Sequence, residues 1–114
     1  MDLATLIYSV TADFPKHEVY GLSSQMRRAA VSIASNIAEG SARGTRKDFR
    51  QFVMIARGSN CELQTQLLLA RRLEFGAHAR VSEAEELTND VGQMLSGLSK
   101  YLASPPTAAS TRKS

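Results

Sequence analysis

The chain reads as an all-α protein, an antiparallel up-and-down four-helix bundle, on three observations. Apolar residues recur at helical spacing through most of its 114 residues. Helix start and stop residues cut that pattern into four segments joined by short loops, which favours antiparallel neighbours. No strand alternation, hairpin dipeptide or long internal repeat competes with it. The length suits one domain with a modest core, placed at residues 1 to 103. The small, polar, basic stretch from 104 to 114 reads as a disordered tail.

The first helix follows from Leu3, Leu6, Ile7, Val10 and Phe14, spaced i, i+3, i+4, i+7, with Pro15 helping to end it. The second is expected to start near Ser23 as N-cap and to stop at Gly40, with Leu22, Met26, Ala29, Ile33 and Ile37 on one face. Its opposite side carries Gln25, Arg28, Ser32, Ser35, Asn36 and Glu39, and Ala30, Val31, Ala34 and Ala38 form a further apolar arc. Thr45 to Asp48 resembles a capping box for the longest helix, predicted to run to about Phe75 before Gly76. Phe49, Phe52, Ala56, Leu63, Leu67 and Ala70 make its core side. Met54, Ile55, Leu68, Leu69 and Leu73 point elsewhere, so two packing partners on different sides are expected. The fourth helix is expected to open at the capping box Ser82-Glu83-Ala84-Glu85. It continues through Leu87, Val91, Met94/Leu95, Leu98 and Tyr101/Leu102, and ends at Pro105-Pro106.

Charge narrows the function classes through its distribution. The 14 Lys+Arg and 11 Asp+Glu leave only +3, yet residues 21 to 80 hold ten basic and four acidic groups while residues 81 to 103 hold one and four. Such asymmetry fits a basic face for a polyanion or complementary packing between elements or subunits. The one cysteine, Cys61, excludes an intramolecular disulfide, and no apolar run has the length of a membrane span. The acidic, helix-patterned N-terminus does not read as a signal peptide, so a cytoplasmic protein is expected, without membrane contact.

An active site does not assemble from these residues. His17, His78 and Cys61 match no zinc spacing, Ser32 and Ser35 lack a His partner, and neither a G-x-x-x-x-G-K-S/T loop nor a G-x-G-x-x-G turn is present. Gly40 to Gly44 reads as a flexible interhelical turn, with an anion cradle as the weaker alternative. No metal, cofactor or small-molecule substrate is expected. Arg28, Asn36, Glu39 and Glu62 read as a structural polar network linking helices or subunits, since buried charges need partners. A carboxylate hydrolase centred on Glu39 and Glu62 is the remote alternative. Arg50, Arg57, Gln64 and Arg71 are seven residues apart and trace one ridge about 30 Å long. Arg46 and Lys47 extend it, and Arg43 supports it. Such a ridge suits a nucleic-acid backbone met through phosphates; the alternative is a solvated face with intersubunit ion pairs.

The run FPKHEVYGLSSQMRRAAVSIASNIAEG, residues 14 to 40, together with Asp48-Phe49, Ile55 to Ser59 and Glu62 to Leu67, closely resembles the four helix bundle protein family. That family is also called the 23S rRNA intervening-sequence protein family and includes accessory variability proteins of diversity-generating retroelements. The likeness covers roughly residues 3 to 102 and departs at Ala34, where Pro is common. The resemblance implies an antiparallel four-helix bundle assembled as a homopentameric ring. It implies RNA or DNA, and in the retroelement members a reverse transcriptase, as partners of a basic surface. On this reading Arg43, Arg46, Lys47, Arg50, Arg57 and Arg71 are the candidate polyanion contacts of a noncatalytic protein. A scaffold without nucleic-acid binding is the first alternative.

Overall fold

A computed structural model describes residues 2–18 and 20–104. These form four α-helices, α1 (Leu3–Ala12), α2 (Leu22–Ser41), α3 (Arg46–Arg72) and α4 (His78–Ala103), with one 3-10 turn at Lys16–Glu18 and no strand among the described residues. Consecutive helices run antiparallel in a rod of 56 × 22 × 20 Å. α1 and α3 each pack against both α2 and α4. With 10 residues α1 is about 15 Å long, against about 40 Å for α3 and α4, so it lines only the end where α2 begins. No helix among the described residues is long and apolar enough to cross a membrane.

The core forms where the predicted apolar faces meet. Leu6, Ile7 and Val10 of α1, Met26, Ala29, Ala30 and Ile33 of α2, and Ala56, Leu63, Leu67 and Ala70 of α3 are buried. On α4 the alternatives resolve toward Leu95 and Leu102, while Met94 and Tyr101 face outward. Met54, Ile55, Leu68, Leu69 and Leu73 lie exposed on the outer side of α3. Val53, Val81 and Ala84 join the core without having been anticipated, and so do polar residues, among them Asn60 and Thr88. Asn60 is 2% exposed and donates from Nδ2 to the Thr88 carbonyl at 3.0 Å, with Thr88 itself 1% exposed. One buried hydrogen bond between these helices gives α3 and α4 a preferred register that apolar contacts alone leave loose.

Helix boundaries differ from the sequence reading at four places. α2 starts at Leu22 with Gly21 as N-cap, because the Glu18 carboxylate, four residues upstream, accepts the Leu22 N–H at 3.1 Å. Ser23 lies inside the helix, buried. α2 also runs past Gly40 to Ser41. Gly40 serves packing instead of stopping the helix: a Cβ there would sit 2.6 Å from Phe52 Cβ and 2.9 Å from Phe49 Cδ1. α4 begins one turn before the predicted capping box, at His78, where the N–H groups of Arg80 and Val81 donate to the Ala77 carbonyl. That extra turn buries Val81. Ser82 therefore caps nothing and instead accepts a hydrogen bond from Arg71 at 2.8 Å.

α3 begins as predicted, with Thr45 Oγ1 accepting the Asp48 N–H at 3.1 Å, and ends at Arg72, three residues before the predicted Phe75. Its exit needs left-handed backbone at Glu74 (φ 58°) and Gly76 (φ 82°). There the Phe14 and Phe75 rings pack with centroids 5.5 Å apart, joining the end of α1 to the α3–α4 turn. Asp2 caps α1 by accepting the Thr5 N–H at 2.9 Å, and this bond holds its carboxyl below the usual carboxylate range. The predicted tail, apart from Ser104, lies outside the described residues.

Two substitutions test the packing role of Gly40. Gly40→Ala should lower stability by about 1–2 kcal/mol in urea unfolding, because overpacking against Phe52 outweighs the helix propensity gained. Gly97→Ala, with open space around it, should raise stability by about 0.5–1 kcal/mol. Asp2→Asn keeps a side-chain cap but removes its titration. The depressed pKa of Asp2 means that its stabilisation is present above the unfolded-state pKa and is lost as pH falls through the folded-state value. The stability curve of Asp2→Asn should therefore be flatter than that of the parent below about pH 4.

Candidate nucleic-acid interface

The seven-residue ridge on α3 runs along α4. Arg50 donates from Nε to the Ser99 carbonyl at 3.1 Å, and Arg57 reaches Ser99 Oγ at 3.5 Å. Gln64 donates to Asn89 Oδ1 at 3.0 Å. Arg71 holds Glu85 through Nε and NH2, the shortest contact being 2.6 Å; NH2 also donates to Ser82 Oγ and NH1 lies against His78 Nε2, each at 2.8 Å. Glu85 pushes the Arg71 pKa up, first by these hydrogen bonds and then by its charge. The geometry follows from the spacing. A seven-residue period keeps side chains over one neighbouring helix, so a heptad of polar residues builds a polar seam.

The other predicted cations gather at one end of the rod, where α2 stops, α3 starts and α4 stops. Arg46 donates to the carbonyls of Tyr101 (2.5 Å) and Ser104 (3.3 Å) and lies 4.6 Å from the centre of the Tyr101 ring. With Arg50 on the Ser99 carbonyl, two guanidinium groups cover the unsatisfied carbonyl end of α4, where positive charge is favoured. Arg46 Nε is buried without a partner. Lys47 is exposed. Arg43 pairs with Glu39 at 2.9 Å and lies 5.0 Å from the Phe52 ring centre. A hollow of about 650 Å³ opens here, lined by Arg46, Lys47, Arg50, Gln51, Leu102, Ala103 and Ser104, with no carboxylate among them. The structure thus brings Arg43, Arg46, Lys47 and Arg50 to one end and sets Arg57 and Arg71 apart from them along the seam.

The four residues read as a polar network are not joined to one another by any hydrogen bond within the described residues. Arg28 bonds Ser24 at 3.4 Å, Asn36 bonds Ser32, and Glu39 bonds Arg43. Glu62 is exposed and shares with Arg28 the rim of a hollow of about 460 Å³. The hydroxyls of Ser32 and Ser59, 2.9 Å apart, make the polar link between α2 and α3. That link aligns Glu39 with the region of Phe52, so Glu39 and Glu62 stand about 15 Å apart along the hairpin. They do not form a carboxylate pair for hydrolysis, which needs less than about 10 Å. Among the described residues no group of three or more His, Cys, Asp or Glu is placed to hold a metal ion.

Sequence reasoning passed over a second basic cluster on the α1–α2 side. Arg27 donates from Nε to Thr11 Oγ1 at 2.7 Å and lies 4.7 Å from the centre of the Tyr8 ring. The available signal was the pair Tyr8 and Thr11, which share the face of α1 that an antiparallel α2 brings to Arg27.

If the seam holds Arg71 firmly, a double-mutant cycle of Arg71→Met and Glu85→Gln, read by urea unfolding, will give a favourable coupling that weakens in 1 M salt, where the Debye length is about 3 Å. Zero coupling would release Arg71 as a free surface cation.

Comparison with the sequences of characterised proteins finds no match. A family model does match: the one described as 23S rRNA-intervening sequence protein covers residues 1–97. It spans all of α1, α2 and α3, and α4 as far as Gly97, and so includes the cations of the basic end but not the Ser99 to Ser104 segment they contact. The chain therefore belongs to the 23S rRNA-intervening sequence protein family.

Proposed function

We propose that this chain is a noncatalytic subunit that assembles with copies of itself and binds RNA through the basic end of its bundle. The observation that carries the reading is the hollow lined by Arg46, Lys47 and Arg50 without a carboxylate, flanked by Arg43. Arg46 and Arg50 are held by α4 backbone carbonyls, so their charge is fixed in place before any ligand arrives. Phosphates bind such a cluster by charge, without sequence readout. The insertions in ribosomal RNA that the resemblance connects with this family support RNA as the polyanion. A nucleic-acid-handling protein such as a reverse transcriptase is the other partner consistent with that resemblance.

Self-assembly is supported by the outer side of α3, where Met54, Ile55, Leu68, Leu69 and Leu73 are exposed along more than five turns. Five copies in a ring is the number the resemblance supplies. A cytoplasmic location belongs to the same proposal and is supported by the exposed, unpaired Cys61. The scaffold reading is favoured by one observation, the engagement of Arg50, Arg57 and Arg71 with α4.

Salt separates the two readings. Single-stranded RNA held by about four phosphate contacts should show log affinity falling with log salt at a slope of about −3, and Lys47→Gln should reduce that slope by about 0.7 with helix content unchanged. Absence of RNA binding at low salt would leave the scaffold.

A further inference from the structure

The hollow between α1 and α2 is lined by Tyr8, Tyr20, Ser24, Arg27, Arg28 and Val31 and measures about 390 Å³. Its chemistry is unusual for a surface that serves only packing. Arg27 and Arg28 are adjacent cations, and neither has a carboxylate within ion-pair distance among the described residues. Glu62, the acidic group nearest to Arg28 in the neighbouring hollow, forms no ion pair with it. Arg27 is also held in position: Thr11 Oγ1 accepts from its Nε, that hydroxyl donates to the Ile7 carbonyl at 2.8 Å, and the guanidinium lies over the Tyr8 ring. The two terminal nitrogens of Arg27 have no protein partner among the described residues. A guanidinium fixed at Nε and over one ring presents those nitrogens as a fork, the geometry that accepts a phosphate.

The aromatic rings supply the second half of the chemistry. Tyr20 is 95% exposed, so its ring packs against almost nothing, and Tyr8 is 48% exposed. An aromatic ring without a packing role beside two uncompensated arginines matches a ligand that carries a flat base and a phosphate together. We propose that this hollow is a second contact point for single-stranded nucleic acid, with a phosphate on Arg27 and Arg28 and a base stacked on Tyr20 or on the open part of Tyr8. The inference rests on the reading of the protein as an RNA binder and adds a site on the α1–α2 side, away from the basic end. Stacking accepts any base, so the contact is sequence-tolerant, and a duplex, whose base faces are covered, does not use it.

The test is binding of a fluorescein-labelled oligouridylate at low salt, followed by anisotropy, with variants whose side chains carry little of the fold. Tyr20→Ala should weaken binding by about fivefold or more, and Tyr20→Phe, which keeps the ring, should restore it. Arg28→Gln should lower the salt slope by about 0.7. A labelled RNA duplex should be bound with no dependence on Tyr20. If the oligouridylate binds and weakens with Lys47→Gln but not with Tyr20→Ala or Arg28→Gln, the hollow is overturned and the basic-end reading stands. If equal loss follows Tyr20→Ala for single strand and duplex, stacking is overturned. If the parent protein binds no oligouridylate at all, both readings fall. Displacement of the oligouridylate by an acidic tyrosine-phosphate peptide with higher affinity would reassign the hollow to a protein partner.

Discussion

The structure depends on the seam along which α3 and α4 join. α3 is the one long helix that shares its length with both α2 and α4, and its buried face alone does not fix where α4 sits along it. Apolar contacts are tolerant of sliding, whereas hydrogen bonds at fixed positions are not. Arg50, Asn60, Gln64 and Arg71 supply such bonds at intervals from one end of the helix pair to the other. Beside that seam, Gly40 admits Phe52 between α2 and α3, and Phe14 packs on Phe75 at the far end.

The same seam explains how the chain distributes its charge. The basic middle and acidic last helix have two uses. Part of the asymmetry is consumed inside the fold, where Arg71 meets Glu85 and Arg57 meets Ser99. The remainder collects at the end of the rod, where Arg46 and Arg50 cover the carbonyl end of α4 and leave Lys47 facing solvent. On the proposed reading, the cations that stabilise this helix terminus and those that would attract a polyanion are partly the same groups. Electrostatic capping and ligand binding draw on one field, so a phosphate at this end meets arginines already oriented by backbone carbonyls.

Much of this fold was legible in the residues. The apolar faces of α1 and α2, the Thr45 cap and the outward row of Met54, Ile55, Leu68, Leu69 and Leu73 follow from period and cap chemistry alone. Helix ends were less legible, because competing signals are local while the deciding contacts are tertiary. Ser23 and Ser82 are good cap residues, but Glu18 and the burial of Val81 move the starts upstream. The seven-residue basic ridge was seen as a ridge, yet its direction was not. A heptad defines a face without saying whether that face meets solvent or a neighbour, and only the packed pair shows that it meets α4. The Tyr8–Arg27–Thr11 cluster escaped notice because its members lie on two helices whose relative register no single-helix pattern contains.

Self-assembly and RNA binding, the two parts of the proposed function, are both tested by the native mass of the protein. The protein is purified without nuclease and compared, at one salt concentration, with a nuclease-treated sample. A multiple of the 12.4 kDa chain mass, carrying additional mass that nuclease removes, is the predicted result. A nucleic-acid-free particle with the mass of one chain in both samples would contradict it.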